Sequence, residues 1–348
     1  MQSLALWLCA PATTAADITQ QNLQPPTFVS TIEANWLWSF LQRVDAGQTL
    51  LSQAIAVADM PAPEKAMLSA WVQTVSALAA QFQPAPIAWP VVRPCIGDAA
   101  WKAFKVLMES FYEKGLRSGL PYRADGTPVA AGGVSYASFV QAFRDAHRQN
   151  PDTDAREVCV LCEGPLGLTP EVDHWIAKSA FPLLSVCADN LLPICGECNS
   201  TTNKGEKPVF STHGFSDWFH PYLRHANGAI TLDYELPGFT VKCISVSKVD
   251  QPKVEKLNKL LNLADRWTRE FKAEYAKQQN VLRGRERQRV SRGQVRHSQA
   301  EIQAYVEQWQ RDLLHSCEPH HEVHQVLCKA ALEPSRLATW HAELAMVS

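Results

Sequence analysis

Four cysteines and one histidine carry the chemistry that can be read from this 348-residue chain. Cys159 and Cys162 form one CxxC pair, and Cys195 and Cys198 form a second. A CxxC turn holds two thiolates about one zinc–sulfur bond length, ~2.3 Å, from a common centre. Two such turns complete a tetrahedral S₄ set, the geometry of closed structural zinc sites. In a chain without secretory features, paired CxxC spacing points to Zn²⁺ and away from disulfides or unrelated buried thiols. The 32 residues between Cys162 and Cys195 exceed what a simple zinc ribbon needs. Something is therefore expected to be housed between the two knuckles.

Asp173, His174 and Asn190 lie in that interval, and Asn199 follows the second pair directly. Residues 168–172 read as a short strand after a turn, 190–194 as a second strand, and 198–204 as the opening of a short helix. Strand, loop, strand and helix, with Asp-His at the end of the first strand and Asn at the helix start, resemble the HNH endonucleases. These are ββα-metal nucleases with a zinc-knuckle frame. The motif order is CxxC, Asp-His, Asn, CxxC followed by Asn, then Lys, and the resemblance spans residues 159–207.

The resemblance implies a metal-dependent endonuclease that hydrolyses DNA and leaves 5′-phosphate and 3′-hydroxyl ends. The residue types suit that chemistry. Imidazole is the side chain poised to take a proton near neutral pH, so His174 is expected to be the general base. A divalent ion, Mg²⁺ or Mn²⁺, is expected to hold the scissile phosphate. Hard cations take oxygen ligands, which Asp173 and the amide of Asn199 would supply. Asn203, four residues further on the same helical face, is the alternative ligand. By resemblance Asn190 braces the loop that carries His174, and Lys204 or Lys207 contacts a phosphate. Some HNH proteins of this build accompany ATPases in bacterial defence against phage. The resemblance thus implies an ATPase or another defence-system protein as partner. The rival expectation is a catalytically silent zinc module that binds nucleic acid or a protein. The sequence leaves DNA versus RNA open.

The elements that must position these residues read as mainly helical. The expected fold class is α+β, a zinc-framed ββα-metal HNH module embedded in an α-helical chain. Four regions are expected: a helical N-terminal region (1–98), helical support (99–155), the nuclease module with a following hairpin (156–250) and a basic helical tail (251–348). The first region is charge-poor and suits a partner dock. In it Trp36, Trp38, Phe40 and Leu41 form a helical apolar cluster with Thr31 as cap, and Ala66 to Phe82 form a second helix. Asp98 to Leu116 reads as an amphipathic helix burying Phe104, Met108, Phe111 and Tyr112. No apolar run reaches the ~18–20 residues of a membrane span. Ten cysteines together with a zinc site suggest a reducing cytoplasm.

The net charge of −2 gives no global attraction to nucleic acid. Residues 253–296 are the exception, with thirteen Lys/Arg against five Asp/Glu. Leu257, Leu260, Leu261, Leu263, Trp267 and Phe271 mark one buried stripe there. Arg285, Arg289, Arg292 and Arg296 would align on one helix as a phosphate-binding row. A solvated helix face is the competing reading, and Gly284 and Gly293 weaken a continuous helix. Further on, Cys317, His320, His324 and Cys328 have spacings that could bind a second zinc. Helix-end histidines and buried cysteines give the same pattern.

Overall fold

The computed structural model describes residues 1–76, 92–148, 158–211, 215, 217–222, 231–235, 239–245, 247–313 and 318–347. The described chain is mainly helical α+β, with three two-stranded sheets. It divides into two units whose segments interleave along the sequence. The first comprises Met1–Phe143, Glu171–Pro193 and Gly205–Phe219. The second comprises Arg144–Pro170, Ile194–Lys204 and His220–Ser348.

The first unit begins with α1 (Gln2–Leu8) and α2 (Thr31–Leu41). A short ladder, β1 (Val44–Asp45) with β2 (Gln48–Thr49), leads into α3 (Leu50–Ala58) and α4 (Ala62–Val75). Helices start where a side-chain oxygen can take an unpaired backbone N–H. Ser30 Oγ accepts from the Glu33 amide at 3.1 Å, and Thr49 Oγ1 accepts from Ser52 at 3.1 Å. The cap of α2 is therefore Ser30, and Thr31 is already helical. Helix α4 starts four residues earlier than its apolar pattern indicates, because Pro63 is well placed in a first turn. Leu78 and the rest of the expected helix beyond 76 lie outside the described residues.

Helix α5 (Asp98–Ser110) buries Phe104, Leu107 and Met108 and runs into a π turn, Phe111–Leu116. A π turn holds more residues per turn than an α-helix and shifts the faces that follow it. Tyr112 lies in this turn. It packs with Tyr136 and Phe139 of α6 (Tyr136–Arg148) around Leu116, Val140, Val172 and Leu191. Val172 belongs to β3 (Glu171–His174) and Leu191 to β4 (Leu191–Ile194), which pair as a two-stranded sheet. The Tyr112 hydroxyl donates to the Val172 carbonyl, and the Val172 amide donates to the Tyr136 hydroxyl at 2.8 Å. Both backbone polar groups of the residue before Asp173 are thus tied to tyrosines from flanking helices.

The second unit carries α7 (Gly196–Asn199) and an antiparallel hairpin, β5 (Thr231–Glu235) with β6 (Thr240–Ile244). Five helices follow: α8 (Gln251–Leu261), α9 (Leu263–Ser291), α10 (Gln299–Asp312), α11 (His321–Ala331) and α12 (Pro334–Ala345). The apolar stripe from Leu257 to Phe271 is buried throughout, but it spans two helices. Asn262, at φ 52°, ends α8 in the left-handed region that asparagine tolerates. Leu282, Ile302, Val306, Cys328, Leu337, Trp340 and Leu344 form the C-terminal core.

The arginines do not form one helical row. Helix α9 ends at Ser291, Arg292 is its cap, and Gly293 at φ 67° turns the chain before Arg296. Arg289 pairs with Glu301 at 2.7 Å, and Arg296 lies 3.5 Å from Glu286 and donates to the Leu344 carbonyl at 3.0 Å. The Arg285 guanidinium lies 4.7 Å from the centre of the Tyr305 ring. Three of the four guanidinium groups thus serve contacts inside this unit.

Candidate metal centre and active site

The first cysteine pair sits on a tight turn of the second unit. The Cys159 amide donates to Gly164 O at 2.8 Å, Glu163 N–H returns to Cys159 O at 2.9 Å, and Glu163 adopts φ 60°. The second pair flanks the start of α7. Together these turns bring the four Sγ atoms within 4.8 Å of one another, and Cys162 Sγ lies 3.7 Å from Cys195 Sγ. A tetrahedral ion with ~2.3 Å bonds to sulfur sets its ligands ~3.8 Å apart. The four cysteines therefore form a cluster that could hold a metal ion, and the soft S₄ donor set is compatible with structural zinc. No cysteine among the described residues is in a disulfide.

A second layer of groups supports these sulfurs. The Cys195 amide points at Cys159 Sγ, 3.4 Å away. Arg266 of α9 donates from Nη1 to Cys198 Sγ at 3.2 Å, and its Nη2 lies 4.0 Å from Cys195 Sγ. The same guanidinium grips Glu197 through Nε and Nη2, each at 3.1 Å. Glu197 sits inside the second CxxC, so the motif carries its own anchor for the arginine. Trp267 Nε1 donates to the Cys162 carbonyl at 2.9 Å. Within the cluster, hydrogen bonds from Cys159, Cys162 and Cys198 hold the Cys195 thiol below the ordinary range, while hydrogen bonds among the same cysteines push the Cys162 and Cys198 thiols up. Sequence reasoning missed Arg266 because it lies 68 residues from Cys198.

Asp173 and His174 lie on β3 of the first unit, and Asn190 ends the loop that leads to β4. His174 is 4 % exposed. Its Nε2 lies 2.8 Å from the Ser185 carbonyl. A carbonyl only accepts, so Nε2 carries the proton and Nδ1 of the neutral ring is the basic nitrogen. Ser185 is itself fixed, since its hydroxyl donates to Met108 O at 2.6 Å. The Tyr112 ring stands edge-on to the imidazole at a centroid distance of 4.4 Å.

Asn190 is fully buried. Its Oδ1 accepts from the Ile176 amide at 2.7 Å, and its Nδ2 donates to Ile176 O at 3.0 Å and Leu184 O at 3.2 Å. The reciprocal pair with Ile176 closes the loop immediately after His174. Asp173, His174 and Asn190 are thus brought together in one unit.

The remaining candidate residues lie on α7 and in the segment that follows it. Asn199 is the last residue of α7, in the second unit. The helix expected from 198 to 204 stops there, because Ser200 turns extended at ψ 152°. Asn203 is consequently not on the same helical face as Asn199. It folds back to donate to the Glu197 carbonyl at 2.7 Å. Lys204 is 1 % exposed, whereas Lys207 is exposed, so of the two only Lys207 is presented at the surface.

Two members of the expected second zinc set are found apart from a shared site or outside the description. Cys328 is buried in the C-terminal core, where burial pushes its thiol up to about 12. Cys317 lies outside the described residues. His324 instead faces α9, where its Nε2 lies 3.1 Å from Glu270 Oε1. That hydrogen bond holds the Glu270 carboxyl below the usual range. Burial pushes the His320 imidazole down.

No protein-family model matches the chain. No solved structure matches it. The chain is similar to the protein ea31 of Escherichia phage lambda, with 30 % identity over 128 residues, covering 32 % of this chain and 40 % of that protein. The chain thus spans less than half the length of this curated relative. No helix among the described residues is long and apolar enough to cross a membrane.

Proposed function

We propose that this chain is a metal-dependent endonuclease of the HNH type, with His174 as general base and a structural zinc ion held by Cys159, Cys162, Cys195 and Cys198. The observation that carries the reading is the Ser185 carbonyl 2.8 Å from His174 Nε2. It orients the ring with a proton on Nε2, and Nδ1 is the nitrogen that would take a proton from water. Asp173, adjacent on the same strand and half-buried, offers an anionic oxygen. Mg²⁺ or Mn²⁺ bound there would stabilise charge on the scissile phosphate. Mg²⁺ commonly binds through one or two carboxylates together with substrate phosphates and water, so a single Asp is a sufficient start. Tyr112 and Asn190 do not touch substrate in this scheme. They fix the strand and the loop that aim His174. DNA as substrate, an ATPase partner and a role in defence against phage rest on the resemblance of residues 159–207 to the HNH family.

His174→Ala and Asp173→Ala should fail differently. Loss of His174 removes the base, and cleavage should fall by about 10²–10⁴-fold at any metal concentration. Loss of Asp173 weakens the metal, so raising Mg²⁺ should restore part of the rate. Equal insensitivity of both variants to metal would count against these roles.

A second reading is favoured by one observation. His174 is buried, as in a module that uses zinc for structure and binds nucleic acid or protein without cutting. Absence of cleavage by the wild-type protein under both Mg²⁺ and Mn²⁺ selects that reading.

A further inference from the structure

We propose that His324, Glu270 and Glu274, with His320 as fourth donor, bind a second divalent transition metal of the zinc class, separate from the four-cysteine cluster. The donors come as two pairs with four-residue spacing. Glu270 and Glu274 are successive turns on one face of α9, and His320 and His324 occupy the start of α11. One ligand atom from each of Glu270, Glu274 and His324 lies within 4.8 Å of the others. His324 Nε2 and Glu270 Oε1 are 3.1 Å apart, and His320 Nε2 faces the other oxygen, Oε2, at 4.0 Å. Two ligands of a tetrahedral ion with ~2.1 Å bonds stand ~3.4 Å apart, so small side-chain shifts bring Glu270, Glu274 and His324 to a common centre, and His320, outside that set, must move further to join it.

Charge also asks for a cation. Glu274 is buried and receives Lys277 at 2.9 Å and Gln278 at 2.6 Å. Lys277 offsets one of the two carboxylates. Arg266 and Arg269, which line the adjoining cavity, are paired with Glu197, so the Glu270 carboxylate is left for a dication to balance. Mixed imidazole and carboxylate donors select zinc-class ions over Mg²⁺, which prefers all-oxygen sites.

His320 is placed by the first cysteine turn. Its backbone amide donates to Glu163 O at 2.9 Å, and its ring covers Gly164, where an added Cβ would come 3.1 Å from Cε1. Its buried Nδ1 makes no hydrogen bond. A cavity of about 460 Å³, lined by Glu270, Ala273, His320 and Gly164 together with Arg266 and Arg269, opens beside Glu270 and His320 and leaves room for a bound water. The ion would tie α9 to α11 beside the cysteine cluster. This inference does not depend on the nuclease assignment.

The test is metal stoichiometry on the full chain loaded with Zn²⁺ and freed of excess by gel filtration. Wild type should carry two zinc ions per chain, and Glu270→Gln and His324→Gln should each carry one. Cobalt-loaded variants should keep the thiolate-to-cobalt charge-transfer band, which reports the cysteine cluster alone. One zinc per wild-type chain with that band intact overturns the proposal, as do two zinc ions retained in both variants. If the variants fail to fold, the wild-type count still decides. A wild-type chain that lacks the charge-transfer band but loses one zinc in both variants supports the second site while defeating the first.

Discussion

The Ser185 carbonyl can only accept a hydrogen bond, and that places the His174 proton on Nε2. Asn190 keeps this arrangement in place. Its side chain makes three buried hydrogen bonds to the backbone of Ile176 and Leu184. Asn190→Ala would leave the Ile176 amide and carbonyl without those partners and without access to water, whereas the Leu184 carbonyl keeps the Cys187 amide. Each buried unsatisfied group costs roughly 1–3 kcal/mol. The variant should therefore lose about 2–4 kcal/mol of stability in urea melts, some of it recovered by local rearrangement. A loss within experimental error would mean that the loop has another brace. The sequence makes the residue types legible here, since Asp-His and a later Asn between two CxxC pairs already point to the site. It does not reveal the tautomer, because Ser185 is eleven residues away and acts through its backbone.

Helix α9 organises the second unit, with Arg266 and Trp267 on the cysteine cluster near one end and Arg289 near the other. Removing Arg266 takes away the charge-assisted contact to Cys198 Sγ. Zinc affinity of Arg266→Ala should fall ~10–100-fold, measured by competition with a chromophoric chelator. An unchanged affinity would make Arg266 a partner of Glu197 only. At the other end, the Arg289 guanidinium, followed by the Ser298 cap, holds the Glu301 carboxyl down at about 2. Arg289→Ala should raise the Glu301 titration towards the ordinary value of about 4.3 in carboxyl NMR. Glu301 is depressed in the fold, so its contribution to stability is present at neutral pH. That contribution is lost as the pH falls from about 4.3 through about 2. A titration that stays put in the variant would release Arg289 for an external phosphate. The arginine spacing suggested a row because periodicity counts residues and cannot see where a helix stops. Gly293 was the visible sign of that stop, and the partners Glu286 and Glu301 become evident only once the chain folds back. The short α7 follows the same rule, since the return of Asn203 to the Glu197 carbonyl is a tertiary choice that spacing does not encode.

For the whole molecule, the interleaving of the two units would tie an ion at the cysteine cluster to more than its own ligands. The four cysteines belong to the second unit, and the segment between the two pairs supplies Asp173, His174 and Asn190 to the first. Binding free energy at a thiolate cage is folding free energy, so stripping zinc with a strong chelator should lower the melting temperature of the full chain. Added Zn²⁺ should restore it, and Mg²⁺ should not. A melt unaffected by chelation would remove zinc from the frame. The central claim concerns catalysis at His174, and the most direct measurement is conversion of supercoiled plasmid to nicked and linear forms by the purified full-length protein. The account predicts cleavage by wild type with Mg²⁺ or Mn²⁺, none when the divalent ion is omitted, and a rate about 10²–10⁴-fold lower for zinc-loaded His174→Ala. Cleavage by His174→Ala at the wild-type rate, or intact plasmid with wild type under both metals, would contradict it.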